Sequence, residues 1–238
     1  MTTTGTYAFS PALSRLVLAA YARIGIRGPQ IVQEHMSDAE LESNLLLVEW
    51  SNKQPNLWLS KLVSVPLTAG TATYTLDPEI VAIQMAYLTT VDTSGAARDR
   101  PLGVLSTVDY ASQADKAQQG PPTSYWFNRQ ITPEVTLWMV PDGAATYTLK
   151  LRCVRQVQDA AMSGGLNVEI PYRFNTAFVD GLAARLGGVY PEAAIKALGA
   201  NALAMLEGKA DKSWAVASGN DTEGAAVMLT PQLGGYFR

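Results

Sequence analysis

The sequence predicts an α+β protein: a helical bundle built from N- and C-terminal helices, an inserted antiparallel β sandwich or barrel, and an extended C-terminal tail. Three observations predict this. Apolar residues recur at helical spacing in roughly the first fifty residues and again beyond about residue 170. Between them lie short runs rich in β-branched and aromatic residues, punctuated by turn residues. After residue 208 the periodicity fades while Gly and polar residues increase. The implied divisions are 6–58 with 166–208 (helical domain), 59–160 (β domain) and 209–238 (tail).

The first helix is expected to start at Ser10-Pro11, because Ser caps free amides and Pro is tolerated at the first helical position. Leu13, Leu16, Val17, Ala20 and Ile24 then share one face, and Gly25 supplies a stop. Ser37 to Glu40 has the form of a capping box and predicts the start of a second helix. Leu41, Leu45 and Val48 form its apolar stripe, widened by Leu46, Leu47 and Trp50, so burial on more than one side is expected. Pro55 closes the segment.

Strands are predicted at 62–65, 72–76, 80–90, 102–105, 124–130, 135–140 and 146–154. Ala69-Gly70, Asp77-Pro78, Ser94-Gly95 and Pro141-Asp142-Gly143 mark turns between them. A short helix is expected around residues 108–116. After Ser163-Gly164-Gly165, Pro171 opens a helix with Phe174, Phe178, Leu182 and Leu186 at four-residue spacing. Pro191 starts an Ala-rich helix with Ile195, Leu198, Ala202, Met205 and Leu206. The tail carries apolar spots at Val227, Met228, Leu229, Tyr236 and Phe237, which are candidate contacts with neighbouring subunits. Deleting 209–238 is expected to leave a folded domain while weakening such contacts.

Composition narrows the function. Charged residues make up 16%, against roughly 25% in an average soluble protein, which suits a subunit partly covered by neighbours. The 18 basic residues are scattered among 21 acidic ones, for a net charge of -3, which disfavours tight gripping of nucleic acid. Lys150, Arg152 and Arg155 are the candidates for contact with DNA phosphates or a neighbour's carboxylates. Arg15 and Arg23 interrupt the first apolar stretch, and no uncharged run is long enough to span a bilayer.

Catalytic chemistry finds little support. His35 is the only histidine and Cys153 the only cysteine, so neither a Ser-His-Asp triad motif nor a zinc site emerges. His35 reads as a surface residue, and Cys153 as a small buried hydrophobe within a strand pattern. Asp77, Glu79, Asp92, Asp99 and Asp115 are scattered loop carboxylates, and no paired carboxylates in a cleft are recognisable. The glycine pairs make no phosphate loop. Tyr125, Trp126, Phe127 and Trp138 would suit a stacking platform, but sheet core on one face and interface on the other is the simpler reading. No cofactor is expected.

Several motifs, in order, resemble one family. They are Arg23-Ile24-Gly25-Ile26, Trp50-Ser51-Asn52, Leu57-Trp58, Asp109-Tyr110-Ala111, and Gln119-Gly120-Pro121-Pro122-Thr123-Ser124-Tyr125-Trp126-Phe127. Further along come Leu137-Trp138-Met139-Val140-Pro141-Asp142, Tyr147-Thr148-Leu149, Ile170-Pro171, Phe174-Asn175-Thr176-Ala177 and Gly181-Leu182-Ala183-Ala184-Arg185-Leu186. Together they resemble the head-to-tail adaptors of short-tailed bacteriophages over residues 8 to 190. The resemblance implies a structural protein of the virion, assembled in the host cytoplasm as a dodecameric ring under the portal protein. Such a ring carries the tail nozzle protein, continues the channel for double-stranded DNA with passive contact, and helps retain and eject the genome. No catalytic residue and no membrane association are implied. A different tail or nozzle subunit, or a cell-wall hydrolase, is the alternative.

Overall fold

The computed structural model describes residues 5, 9–53, 58–91, 95–162 and 165–219. The chain divides into two compact units, one formed by residues 1–58 and 157–238, the other by Leu59–Gln156.

In the first unit, α1 (Leu13–Arg23) buries Leu13, Leu16, Val17, Ala20 and Tyr21. Ser10 does not cap it. Ala12 precedes the helix with no side-chain cap, and α1 is tied instead through Leu13 N–H donating to the Leu166 carbonyl at 3.0 Å. Gly25 turns the chain away with φ +85°, and a β-carbon there would lie 2.6 Å from that of Ala197. Only glycine satisfies both conditions.

Helix α2 (Gln33–Lys53) begins four residues before the expected capping box, so Ser37 lies inside the helix. A short 3₁₀ turn at Gly28–Gln30 sets its approach, and the Val32 amide donates to His35 Nδ1 at 3.4 Å. Its buried face is Ala39, Ser43, Leu46, Leu47 and Trp50. Leu41, Leu45 and Val48, expected to be buried as well, are 60%, 44% and 54% exposed. Among the described residues, one side of the helix therefore has a partner and the other does not.

The second unit contributes the short α3 (Thr107–Ser112); back in the first unit, a 3₁₀ turn (Tyr172–Phe174) leads into α4 (Asn175–Val189). Phe174, Phe178, Leu182 and Leu186 are fully buried. The single Ala-rich helix expected after Pro191 is two: α5 (Pro191–Leu198) and α6 (Ala202–Ser218). Gly199 breaks them with φ +91°. Helix α6 also takes in residues 209–218, which the loss of periodicity had assigned to an extended tail. Ser213 and Trp214 explain the difference, because both are held by side chains of other helices. Trp50, Phe174, Phe178 and Trp214 form the aromatic centre of the core, with Trp50 and Trp214 ring centroids 4.7 Å apart.

The second unit contains two four-stranded sheets among its described residues. The first has the order β1 (Ser60–Pro66), β8 (Thr146–Arg155), β3 (Ile80–Val91), β4 (Ala97–Pro101), all antiparallel. The second has the order β2 (Thr73–Thr75), β7 (Glu134–Trp138), β6 (Ser124–Asn128), β5 (Gly103–Leu105). Here β5 pairs with β6 in parallel, so this sheet is mixed rather than purely antiparallel. Leu88, Leu149, Leu151 and Cys153 from the first sheet and Tyr125, Val135 and Leu137 from the second share one core. Strand β4 was not expected from the sequence, since all five of its residues are exposed and three are charged. An edge strand of that kind carries no apolar alternation to read, and its charges discourage unwanted edge pairing. The expected helix near 108–116 is the shorter α3 (Thr107–Ser112), capped by Ser106.

Candidate interaction surfaces

Lys150 and Arg152 share the outer face of the first sheet. Along β8, Tyr147, Leu149, Leu151 and Cys153 point into the core and alternate with Thr148, Lys150 and Arg152. Lys150 Nζ donates to Ser64 Oγ at 2.8 Å, and Arg152 Nε to Ser60 Oγ at 3.2 Å. Directly opposite Arg152 stand Leu62 on β1 and Met85 on β3, 56% and 59% exposed. This row is apolar, cationic, apolar across three strands. Arg155, the third basic candidate, lies at the strand end, where its guanidinium donates to the Gln156 carbonyl at 3.0 Å. It does not join the other two on their face. The tail candidates Val227, Met228, Leu229, Tyr236 and Phe237 lie outside the described residues.

The aromatic cluster divides by face. Tyr125 and Phe127 pack into the β core. Trp126, on the opposite face, is covered by Tyr110, whose ring is stacked on it with centroids 5.1 Å apart. Trp138 donates its indole N–H to the Asp115 carbonyl at 3.1 Å. The residues around α3 thus occupy the surface a base or sugar would need.

Cys153 is fully buried, and burial pushes its thiol up to about 11, the reverse of an activated nucleophile. His35 is half-buried rather than an exposed surface residue. Its ring stacks on Tyr190 with centroids 4.8 Å apart, and Tyr21 donates its hydroxyl to the His35 carbonyl. Tyr190 in turn donates to Asp38, and burial raises its phenol to about 12. This cluster pins the α1, α2 and α5 ends together.

Asp180 was not singled out in the sequence. It is a 2%-exposed carboxylate on α4 that receives Arg23 of α1, Lys209 Nζ at 3.1 Å and Ser213 Oγ at 2.6 Å, both of α6. Nothing local marks it, because Arg23 lies 157 and Ser213 33 residues away, and Lys209, like Ser213, is on α6.

A groove of about 500 Å³ runs between α2, α4 and α6 and is lined by Glu49, Trp50, Arg185, Glu207, Asp211 and Trp214 among others. The fold thus brings carboxylates to one cleft, which the sequence did not reveal. Arg185 bridges Glu42 at 3.0 Å and Glu49 at 2.6 Å. Hydrogen bonding from Lys53, and then from Arg185, lowers the Glu49 carboxyl, whereas a general acid needs the opposite shift. Among the described residues no three His, Cys, Asp or Glu side chains group as metal ligands. No helix among them is long and apolar enough to cross a membrane.

Comparison with known proteins locates the chain. No curated protein matches it. Among solved structures, a chain titled "Neck of empty GTA particle computed with C6 symmetry" is 14% identical, covering 71% of this chain and 76% of that one, with a TM-score of 0.25. So slight a superposition carries no structural argument. The model of the family described as SU10 adaptor protein matches residues 13–226, nearly the whole of both units. The chain belongs to the SU10 adaptor protein family.

Proposed function

We propose that this protein is a non-enzymatic adaptor at the head-to-tail junction of a virion, present as copies in a ring that joins the portal protein to the tail nozzle protein. The ring continues the DNA channel, touches double-stranded DNA passively, and helps retain and eject the genome. A dodecamer is the expected number of copies, as in the short-tailed phages the sequence resembles. Family membership over residues 13–226 is the observation that carries this reading.

The geometry supports it in a second way. Among the large apolar side chains left open, Leu41, Leu45 and Val48 line one face of α2, and Leu62 and Met85 lie on the outer face of the first sheet. Exposed apolar faces of that kind mark surfaces for other proteins. The net charge of -3 fits a channel wall that must let DNA slide, since every phosphate contact adds salt-dependent affinity.

The test is composition. Purified particles should contain this chain in many copies, and disrupted particles should release it together with the portal protein. Release with fibres and without the portal would favour another tail component. Peptidoglycan cleavage by the purified chain, abolished by Glu207→Gln, would favour the hydrolase reading that the groove carboxylates allow.

A further inference from the structure

We infer that neighbouring copies meet through two different faces: the outer stripe of α2 in one copy seats on the outer face of the β1-β8-β3-β4 sheet in the next. This rests on the ring reading above and names the surfaces that would build the ring.

The outer stripe of α2 is Glu34, Ser37, Leu41, Leu45, Val48 and Asn52, all exposed and spaced by three or four residues. Its centre is apolar. Asp38, Glu42 and Glu49 flank it along one side, answered by Arg185 on the two glutamates and by Lys53 on Glu49. The four carboxylates Glu34, Asp38, Glu42 and Glu49 outnumber the two cations Lys53 and Arg185, so the stripe is greasy with a net acidic margin.

The sheet face has the complementary character. Leu62, Arg152 and Met85 form one row across β1, β8 and β3, and Ser64, Lys150 and Tyr87 form the next. Serine hydroxyls hold the two cations, and Asp99 of β4, bound by Thr89 in the row beyond Lys150, offsets one of them, so the face stays net cationic. Leu62 and Met85 offer apolar area on both sides of Arg152.

Charge decides the pairing. Two α2 stripes brought together would oppose their acidic margins. Two sheet faces would oppose Lys150 and Arg152. Stripe on sheet brings opposite charges around a shared apolar centre. A contact between two different patches of the same chain is heterologous, so each copy keeps one free patch of each kind until the set closes into a ring. A second copy is thus the occupant whose surface the chain itself supplies.

Full-length Leu45→Cys and Met85→Cys chains, incorporated into particles singly and together, test this with a short bismaleimide. Both sites are exposed, and wild type, whose Cys153 is buried, gives the background. Covalent dimers are expected in the mixed particles and not above background in either single variant. Dimers in a single variant, or none in the mixture, would overturn the inference. A ring seen in those same particles without cross-linking leaves the ring reading standing, whereas particles holding no ring defeat both. Arg152→Glu gives an independent readout: ring incorporation should fall at least tenfold with unchanged melting temperature. Unchanged incorporation counts against the pairing.

Discussion

Asp180 shows how much one residue can organise. A carboxylate with 2% exposure is tolerable only because Arg23, Lys209 and Ser213 meet it. Asp180→Asn keeps the volume but removes the charge, and should cost about 1–3 kcal/mol, lowering the melting temperature by several degrees in calorimetry. A melting temperature equal to wild type would remove this residue from the account. Phe178 is fully buried in the helical core, so Phe178→Asp should unfold that unit, since an unpaired buried charge is far costlier than a lost contact. Circular dichroism would show loss of helix. Cys153 makes the opposite kind of prediction. Its thiol is buried and held up to about 11, so at pH 8 the native protein should resist iodoacetamide and react only in denaturant. Of these three, Phe178 and Cys153 could be placed from the sequence, because each sits in a regular apolar pattern. Asp180 could not, because its meaning lies entirely in partners distant along the chain.

Elements followed the same rule. Strands with one face in the core, such as β8, announce themselves by alternation. Strand β4 does not, being exposed on every residue. The sequence places the start of α2 too late because Ser37 and Glu40 have capping-box spacing within the helix itself. The extent of α6 matters most for experiment. Lys209, Ser213 and Trp214 belong to the helical core, so removing 209–238 strips an Asp180 partner pair and the Trp50 neighbour. That truncation should destabilise the fold, correcting the expectation that it would leave a folded domain and weaken only its contacts. Ending the chain after Gly219 should leave the melting temperature within about 2 °C of wild type. We propose that Val227, Met228 and Leu229 contact the portal or an adjacent copy, so the shorter truncation should still weaken docking. Equal destabilisation by both truncations would show that residues beyond α6 also support the fold.

For the whole molecule the governing facts are few charges and open apolar faces. With a net charge of -3 and its cations divided between faces, the free chain should bind double-stranded DNA more weakly than about 10⁻⁵ M at physiological salt, as read by fluorescence anisotropy. The broad class, two helical segments around an inserted β region, was legible because periodicity changes twice along the chain. Which helix faces stay uncovered was not, because the sequence of α2 is apolar on both sides and only packing separates Leu46 and Leu47 from Leu41 and Leu45. The central claim is that those uncovered faces serve assembly at the head-to-tail junction. Electron cryo-microscopy of the intact particle tests it most directly. The account predicts a closed ring of copies of this chain beneath the portal, encircling the DNA path. Particles whose junction contains no such ring would contradict it.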